Sequence, residues 1–289
     1  MLKAFIKTMR PRQWTKNIFL FAAIVFDRKL LDPTAIGRTI AGFILFSLLS
    51  SCVYIFNDIA DIEADQKHPK KRFRPIAAGT LPVPIAITGA ILIITITMPI
   101  SFWISIEFGS LAILYFIINI AYSNWLKHVA LIDVMIVASG FVLRVAAGVS
   151  LIQVERFSPW LYVVTTLFAL YIGFGKRRAE LTMLAQNANA HRRVLDGYSI
   201  SFLDQLITIV SSITIIAYSL YTFSAPNVPS NHSMMLTIPF VLYGIFRYLY
   251  LIKIKEAGGA PEEIILSDRP LQITFLLWTT FVLIIFYLY

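Results

Sequence analysis

The stretch FILFSLLSSCVYIFNDIADIEADQKHPKKRFRPIAAG, residues 43–79, joins a long apolar run to the densest charge in the chain. Its apolar part belongs to a segment long enough to cross a membrane as a helix. Three aspartates follow directly, at Asp58, Asp61 and Asp65, and basic residues come next, at Lys67, Lys70, Lys71, Arg72 and Arg74. Acidic and basic side chains placed together at the end of an apolar run indicate a membrane-spanning segment with a charged site at its mouth.

Apolar runs of similar length recur along the whole chain. Of the 289 residues, 58% are hydrophobic and 14% are charged, whereas about a quarter is charged in a typical soluble domain. The backbone must satisfy its hydrogen bonds internally within a bilayer, so these runs predict helices. We expect an all-α, polytopic membrane protein, a single transmembrane domain over residues 1–289 with about nine transmembrane helices. The predicted spans are 14–31, 36–57, 82–102, 105–123, 130–151, 158–175, 202–223, 233–252 and 271–288.

The basic residues predict the orientation of the chain. With the N-terminus inside, most of the 25 Lys and Arg residues fall in loops on the inner side, as the positive-inside rule requires. This places the N-terminus and the loops 58–81, 176–201 and 253–270 on the cytoplasmic face of the cell membrane. The net charge of +9 suits contact with anionic lipid or an anionic substrate. The single cysteine excludes an internal disulfide, and the four histidines lack metal-ligand spacing.

The acidic cluster, defined as Asp58, Asp61 and Asp65, has the spacing of one helical face if the second span continues past Asn57. Three carboxylates on one face repel one another and need a cation. Mg²⁺ prefers hard oxygen ligands and combines one or two carboxylates with substrate phosphates. Asn57 would add a neutral oxygen or hold a carboxylate. The alternative is a solvated helix end neutralised by nearby lysines.

The basic run HPKKRFRPIAAG, residues 68–79, follows the acidic cluster. Pro69 and Pro75 interrupt helices, so the run predicts a loop over the span ends. Its cations can bind phosphate groups, with forked donors from arginine and a mobile charge from lysine. A loop that serves only membrane topology is the alternative.

Several motifs resemble the UbiA prenyltransferase superfamily, and within it the branch of polyprenyl-phosphate (decaprenyl-phosphate) phosphoribosyltransferases. The superfamily motif is NDxxDxxxD at 57–65, and the branch is indicated by the longer block 57–79 together with RPRQWTKN (10–17), IDVMIVASGFVLRVAAG (132–148), GKRRAEL (175–181) and AGGAPEEIILSDRPLQ (257–272). The resemblance implies a transferase of cell-wall biogenesis that moves 5-phosphoribose from phosphoribosyl diphosphate to a polyprenyl phosphate. It also implies dependence on Mg²⁺ and release of diphosphate. Its expected partners are these two substrates and the lipid bilayer, and no nucleic acid is expected.

The roles that follow from this resemblance are a hypothesis. The acidic cluster would hold Mg²⁺ on the donor diphosphate and so be catalytic. The predicted substrate-binding residues are Lys16, Asn57, Lys70, Lys71, Arg72, Arg74, Tyr122, Arg144, Lys176, Arg177 and Glu180. Arg144, inside a span, would reach a phosphate or pair with Asp133. The loop 258–270 would act as a flap whose acids Glu262, Glu263 and Asp268 pair with the basic loops 70–74 and 176–178.

One departure from the wider superfamily bears on the donor. Members that use isoprenyl diphosphates usually carry a second aspartate-rich motif after the sixth span, where this chain has GFGKRRAEL, residues 173–181. More cations and fewer acids favour a donor with both a diphosphate and a 5-phosphate. The alternatives are an isoprenyltransferase with an aromatic or glycerol-phosphate acceptor, and a non-catalytic lipid-phosphate carrier.

Overall fold

The computed structural model describes residues 1–69, 71–152, 154, 158–186, 193–255, 264 and 267–288, and these residues contain helices and no strand. This confirms the all-α prediction. The α-helices are α1 (Leu2–Met9), α2 (Ala22–Phe26), α3 (Pro33–Ala60), α4 (Ile62–Lys67), α5 (Val83–Ile104), α6 (Ile106–Asn124), α7 (Ile132–Ser150), α8 (Trp160–Gln186), α9 (Ile200–Ser224), α10 (Ile238–Lys253) and α11 (Arg269–Leu288). Short 3₁₀ helices lie at Pro11–Phe21, Lys71–Phe73, Leu126–His128, Arg193–Gly197 and Ser233–Thr237.

Seven helical segments in the described part of the chain are long and apolar enough to cross a membrane. They are α3, α5, α6, α7, α9, the segment Ser233–Lys253 that ends with α10, and α11. The protein is therefore a multi-pass membrane protein, although the predicted count of nine is not confirmed. The predicted span 14–31 is not one α-helix, because it begins within the 3₁₀ helix Pro11–Phe21 and continues with the short α2. The predicted span 158–175 lies in α8, whose later turns carry Lys176, Arg177 and Arg178.

The helices begin where the sequence supplies caps. The carboxylate of Asp32 accepts hydrogen bonds from Thr34 N (2.8 Å) and Ala35 N (3.2 Å), and Pro33 opens α3. Ser105 and Ser199 cap α6 and α9 in the same manner. Side-chain oxygens at these positions satisfy amide groups that have no partner within the helix. These capping residues therefore define where the helices α3, α6 and α9 begin.

The described structure divides into two compact units. Unit one comprises Met1–Val25, Lys29–Lys127 and Gly140–Val154, and unit two comprises Phe26–Arg28, His128–Ser139 and Glu155–Tyr289. The first eight residues of α7 therefore belong to unit two and the remainder to unit one. The prediction of a single domain stays a prediction.

Each unit has its own apolar core. In unit one, α3 packs on α5 and α6 around Phe46 and Phe108. A Cβ atom on Gly148 would lie 2.1 Å from the carbonyl oxygen of Leu20, so this close approach requires glycine. In unit two, α8 packs on α9, and Tyr171 is fully buried in the core.

Candidate active site

The helix that carries the acidic cluster breaks in the middle of it. α3 ends at Ala60, Asp61 has φ −101° and ψ 11°, and α4 begins at Ile62. The expectation of one continuous helix through Asp65 is therefore wrong. In a straight helix, the Cα atoms of Asp58 and Asp65 would lie about 10 Å apart along the axis. With the helix broken at Asp61, the carboxylates of Asp58 and Asp65 contact the same atom.

That meeting point is a single nitrogen atom of Arg74. Its Nη1 atom lies 3.1 Å from Asp58 Oδ1 and 2.6 Å from Asp65 Oδ2. Both carboxylates are almost fully buried, whereas Arg74 is about one quarter exposed (24%). Asp58 and Asp65 thus share one cation position that is accessible from one side.

A compact turn after Arg74 holds it in place. Leu81 N donates to Pro75 O (3.0 Å), and the side chains of Ile76 and Leu81 are buried beneath the turn. Gly79 closes the turn with φ +72°, a conformation that favours glycine. The loop predicted from Pro69 and Pro75 is therefore an ordered support for one cation.

A second guanidinium, which the sequence analysis missed, lies on the acidic cluster. Arg10 Nη2 donates to Asp58 Oδ1, and the guanidinium also stacks over the ring of Tyr54, 5.0 Å from its centroid. Tyr54 precedes Asp58 by one helical turn on α3. In the sequence, the excess negative charge of the acidic cluster predicts that a cation lies nearby. It does not indicate which distant residue supplies that cation.

Asp61 has a different partner. Lys127 Nζ lies 2.7 Å from Asp61 Oδ1, so the acidic cluster divides into the pair Asp58 and Asp65 and a separate Asp61. Within the described residues, no three His, Cys, Asp or Glu side chains are grouped closely enough to hold one ion. The shared position of Asp58 and Asp65 nevertheless fits Mg²⁺, which takes one or two carboxylates and completes its shell with water and phosphate. A role for Asp61 as a third ligand stays a prediction.

Other predicted residues of unit one lie around this point or apart from it. Asn57 is half-buried beside Asp58. Lys71 and Arg72 are exposed, and Arg72 stacks over the ring of Phe73 at 4.9 Å. Lys16 and Tyr122 are half-buried, in the 3₁₀ helix Pro11–Phe21 and near the end of α6 respectively. The substrate-binding roles of these residues stay predictions, and Lys70 lies outside the described residues.

Arg144 does not pair with Asp133, so that prediction is wrong. The two residues are separated by eleven positions on α7, about 16 Å along a helix axis, which exceeds the reach of the side chain. Arg144 Nε donates to Asn17 Oδ1 (2.7 Å), Nη1 to Gly140 O (2.7 Å) and Nη2 to Tyr115 Oη (2.9 Å). Because Asn17 Nδ2 in turn donates to Ser47 Oγ (2.9 Å), the Arg144 network joins the first segment to α3, α6 and α7.

Asp133 is the centre of an ion cluster in unit two, formed with Arg177, Glu180 and Tyr198. Arg177 Nε lies 2.6 Å from Asp133 Oδ2, and Nη1 lies 2.5 Å from Glu180 Oε2. Tyr198 Oη donates to Asp133 Oδ1 (2.7 Å) and accepts from Leu131 N (2.6 Å). Burial raises the pKa of Tyr198, and its hydrogen bond to Asp133 raises that pKa further. Glu180 contacts Arg177, but its predicted role in orienting substrate-binding cations stays a prediction, and Tyr198 was not anticipated.

Two further ion pairs of unit two are separate from this cluster. Arg178 Nε lies 2.8 Å from Asp204 Oδ1, and Lys176, two positions earlier on α8, is half-buried. Asp268 pairs with Arg247 (2.8 Å), so the expectation that it pairs with the basic loops is wrong. Arg247 lies on α10, close to the start of α11. The rest of the proposed flap, including Glu262 and Glu263, lies almost entirely outside the described residues.

Comparison with known proteins identifies the family. A model of the UbiA prenyltransferase family matches residues 18–264. The decaprenyl-phosphate phosphoribosyltransferase of Mycolicibacterium smegmatis is 35% identical to this chain, covering 96% of this chain and 91% of the relative. The enzyme of the same name from Corynebacterium glutamicum is 32% identical, covering 94% and 83%. A structure of a UbiA homolog from Archaeoglobus fulgidus bound to DMAPP and Mg²⁺ shares the fold, with a TM-score of 0.74 over 98% of both chains at 17% identity. The chain therefore belongs to the UbiA prenyltransferase family.

Proposed function

We propose that this protein transfers a 5-phosphoribosyl group from phosphoribosyl diphosphate to a polyprenyl phosphate and releases diphosphate. The observation that carries the proposal is the 35% identity, over 96% of the chain, with an enzyme named decaprenyl-phosphate phosphoribosyltransferase. The related structure that contains Mg²⁺ supports the use of this ion.

Unit one would bind the donor diphosphate. Asp58 and Asp65 would hold Mg²⁺, which when bound neutralises charge that builds on the leaving diphosphate. Arg74 lies between these carboxylates and would provide forked donors to the same group. Lys71 and Arg72 are exposed on the same loop and would provide further positive charge to phosphate oxygens.

The acceptor needs no strong general base. A phosphate monoester has a second pKa of about 6, so it is already largely ionised near neutral pH. It would attack C1 of the ribose as the bond to diphosphate breaks, and the chain's task is to orient the two anions and balance their charge.

Unit two would contribute a phosphate contact through Lys176. Arg177 is 4% exposed and is held by two carboxylates, so we assign it a positioning role for this part of α8. Lys176 is half-buried on the neighbouring position, and its ammonium group would add a positive charge for a phosphate. We further propose that the N-terminus and the reacting groups face the cytoplasm, because the positive-inside rule favours that orientation.

The test uses detergent-purified protein with phosphoribosyl diphosphate, Mg²⁺ and a panel of polyprenyl phosphates that differ in chain length. We expect mass spectrometry to detect a 5-phosphoribosyl lipid and an equal amount of diphosphate. A parallel reaction receives geranylgeranyl diphosphate in place of phosphoribosyl diphosphate. Prenyl transfer in that reaction, without phosphoribosyl transfer in the first, would overturn the proposal.

A further inference from the structure

Arg10 is held over Asp58 in an unfavourable backbone conformation. It has φ 53° and ψ 61°, the left-handed region that non-glycine residues seldom occupy, and the following residue is Pro11. A residue before proline is further restricted toward extended conformations. Strain of this kind persists where surrounding contacts impose it and is common at functional sites.

Two contacts hold the guanidinium in this position. It donates to the carboxylate of Asp58 and stacks on Tyr54 at 5.0 Å. Arg10 keeps 26% of its side chain exposed, whereas Asp58 is 2% exposed. Two partly exposed cations therefore contact a nearly buried carboxylate, and one of them comes from the N-terminal segment.

The formal charges at this point cancel. Asp58 and Asp65 contribute two negative charges, and Arg10 and Arg74 contribute two positive charges. A bare divalent cation would meet a neutral cluster, and to contact both carboxylates it would have to displace Arg74 from their shared position and Arg10 from Asp58. A complex of a divalent metal with diphosphate would supply both charges: Asp58 and Asp65 would hold the metal, and the released guanidinium groups would donate hydrogen bonds to the anionic oxygens.

We infer that Arg10 is an internal counter-cation that makes Asp58 and Asp65 bind a divalent metal together with a diphosphate rather than alone. The inference rests on the proposed function only for the use of these carboxylates as metal ligands. No covalent bond changes in this exchange, which consists of ion pairs that are broken and formed. Arg10 thereby makes binding of the metal depend on binding of the diphosphate.

The experiment measures Mn²⁺ binding by electron paramagnetic resonance on the detergent-purified protein. Titrations are made with Mn²⁺ alone and with inorganic diphosphate, and protein-free titrations correct for Mn²⁺–diphosphate complexes in solution. For the unaltered protein, we expect diphosphate to tighten Mn²⁺ binding about tenfold or more, within the usual range of coupling between two ligands. Equal affinity with and without diphosphate overturns the inference without any variant.

Arg10→Met removes the charge and keeps an unbranched side chain. We expect Mn²⁺ alone to bind about tenfold more tightly to this variant, with the effect of diphosphate reduced to about twofold. Arg10→Lys keeps the charge and should retain most of the diphosphate effect. Arg12→Met is the matched control, because Arg12 is exposed two positions further along, and it should behave as the unaltered protein. An Arg10→Met protein that binds Mn²⁺ alone no more tightly, or an Arg12→Met protein that changes equally, contradicts the inference.

These measurements are independent of the donor assignment. Coupled Mn²⁺ and diphosphate binding without phosphoribosyl transfer would refute the proposed function and leave the role of Arg10 standing. Phosphoribosyl transfer by a protein in which Mn²⁺ binding ignores diphosphate would do the reverse.

Discussion

The two units differ in the exposure of the arginines that balance their buried carboxylates. Each buries a carboxylate beside arginine: Asp58 is 2% exposed in unit one, and Asp133 is 0% exposed in unit two. The arginines differ, because Arg10 and Arg74 keep 26% and 24% of their side chains exposed, whereas Arg177 keeps 5%. An arginine with one open side can exchange its carboxylate for a ligand. An enclosed arginine holds helices together and leaves only at the cost of an unpaired buried charge.

The largest effect is expected in unit one, from Asp58→Asn. The amide keeps the shape of the side chain and loses the charge at the position shared with Asp65, so phosphoribosyl transfer should fall on the order of a thousandfold or more. Activity is followed by mass spectrometry of the lipid product at saturating Mg²⁺, and folding by thermal unfolding in detergent.

Glu63→Gln provides the control for this change, since Glu63 is an exposed acid on α4 within the same stretch. It should leave transfer nearly unchanged. Normal turnover by Asp58→Asn would show that catalysis does not need the charge of Asp58. The proposed difference between the ion pairs of Asp58 and of Asp133 would then fail.

The second effect tests the enclosed pair of unit two. Asp133→Asn should lower the free energy of unfolding by about 3 kcal/mol, because Arg177 loses its most buried partner. The measurement is the unfolding midpoint in detergent, followed by circular dichroism. Asp204→Asn is the matched variant, since Asp204 pairs with Arg178 and Lys253 but is 30% exposed, and it should cost at most about 1 kcal/mol. Equal losses of unfolding free energy in Asp133→Asn and Asp204→Asn would show that burial of the ion pair does not determine its contribution to stability.

A smaller effect is expected from Lys176→Ala. The lysine lies beside the fixed Arg177, and loss of one mobile phosphate contact should raise the apparent KM for phosphoribosyl diphosphate about tenfold, or ~1.4 kcal/mol. Lys253→Ala serves as the comparison because Lys253 already lies 3.2 Å from Asp204. A KM for Lys176→Ala within twofold of the parent value would exclude Lys176 from donor binding.

The smallest effect concerns the partly open pair of Asp268 and Arg247. The hydrogen bond from Arg247 lowers the pKa of Asp268 below its ordinary value, which is about 4. A lowered pKa in the folded state contributes stability above pH ~4, and that contribution is lost as the pH falls through the folded-state pKa. Asp268→Asn should therefore be less stable than the parent by at most about 1 kcal/mol at pH 7.

Unfolding midpoints for the parent and Asp268→Asn at pH 7, 5, 4 and 3 test this sign. The difference between the two proteins should shrink below pH ~4. A difference that stays constant across the series would mean that the carboxylate charge is not the source of the effect.

The sequence predicted the elements of the fold where local chemistry determines them. The span predicted at 36–57 is α3, Pro33–Ala60, because Asp32 and Pro33 supply a start signal and the apolar run carries the helix onward. The location of the acidic cluster at the end of that helix was likewise predicted. The local structure of the predicted first span, 14–31, was not predicted. It contains part of a 3₁₀ helix, which hydropathy does not distinguish from an α-helix.

The pairing of charges could not be predicted in the same way. Arg10 and Asp58 are 48 positions apart, and Lys127 and Asp61 are 66 positions apart. Charge balance predicts that such partners exist, but the fold determines which of 25 basic residues they are. The expected pairing of Arg144 with Asp133 was avoidable, since both lie on one helix at a separation that helix geometry excludes.

The Arg144 network has a consequence for the order of synthesis. Its side-chain partners, Asn17 and Tyr115, precede Arg144 in the chain, and so do the serines that hold Asn17. Chains emerge from the ribosome N-terminus first, and an arginine without partners is costly within a bilayer. When the nascent helix that carries Arg144 enters the membrane, the side chains that accept its hydrogen bonds have already been synthesised. The chain is thus ordered so that Arg144, a buried cation of a membrane-spanning helix, is translated after its side-chain partners.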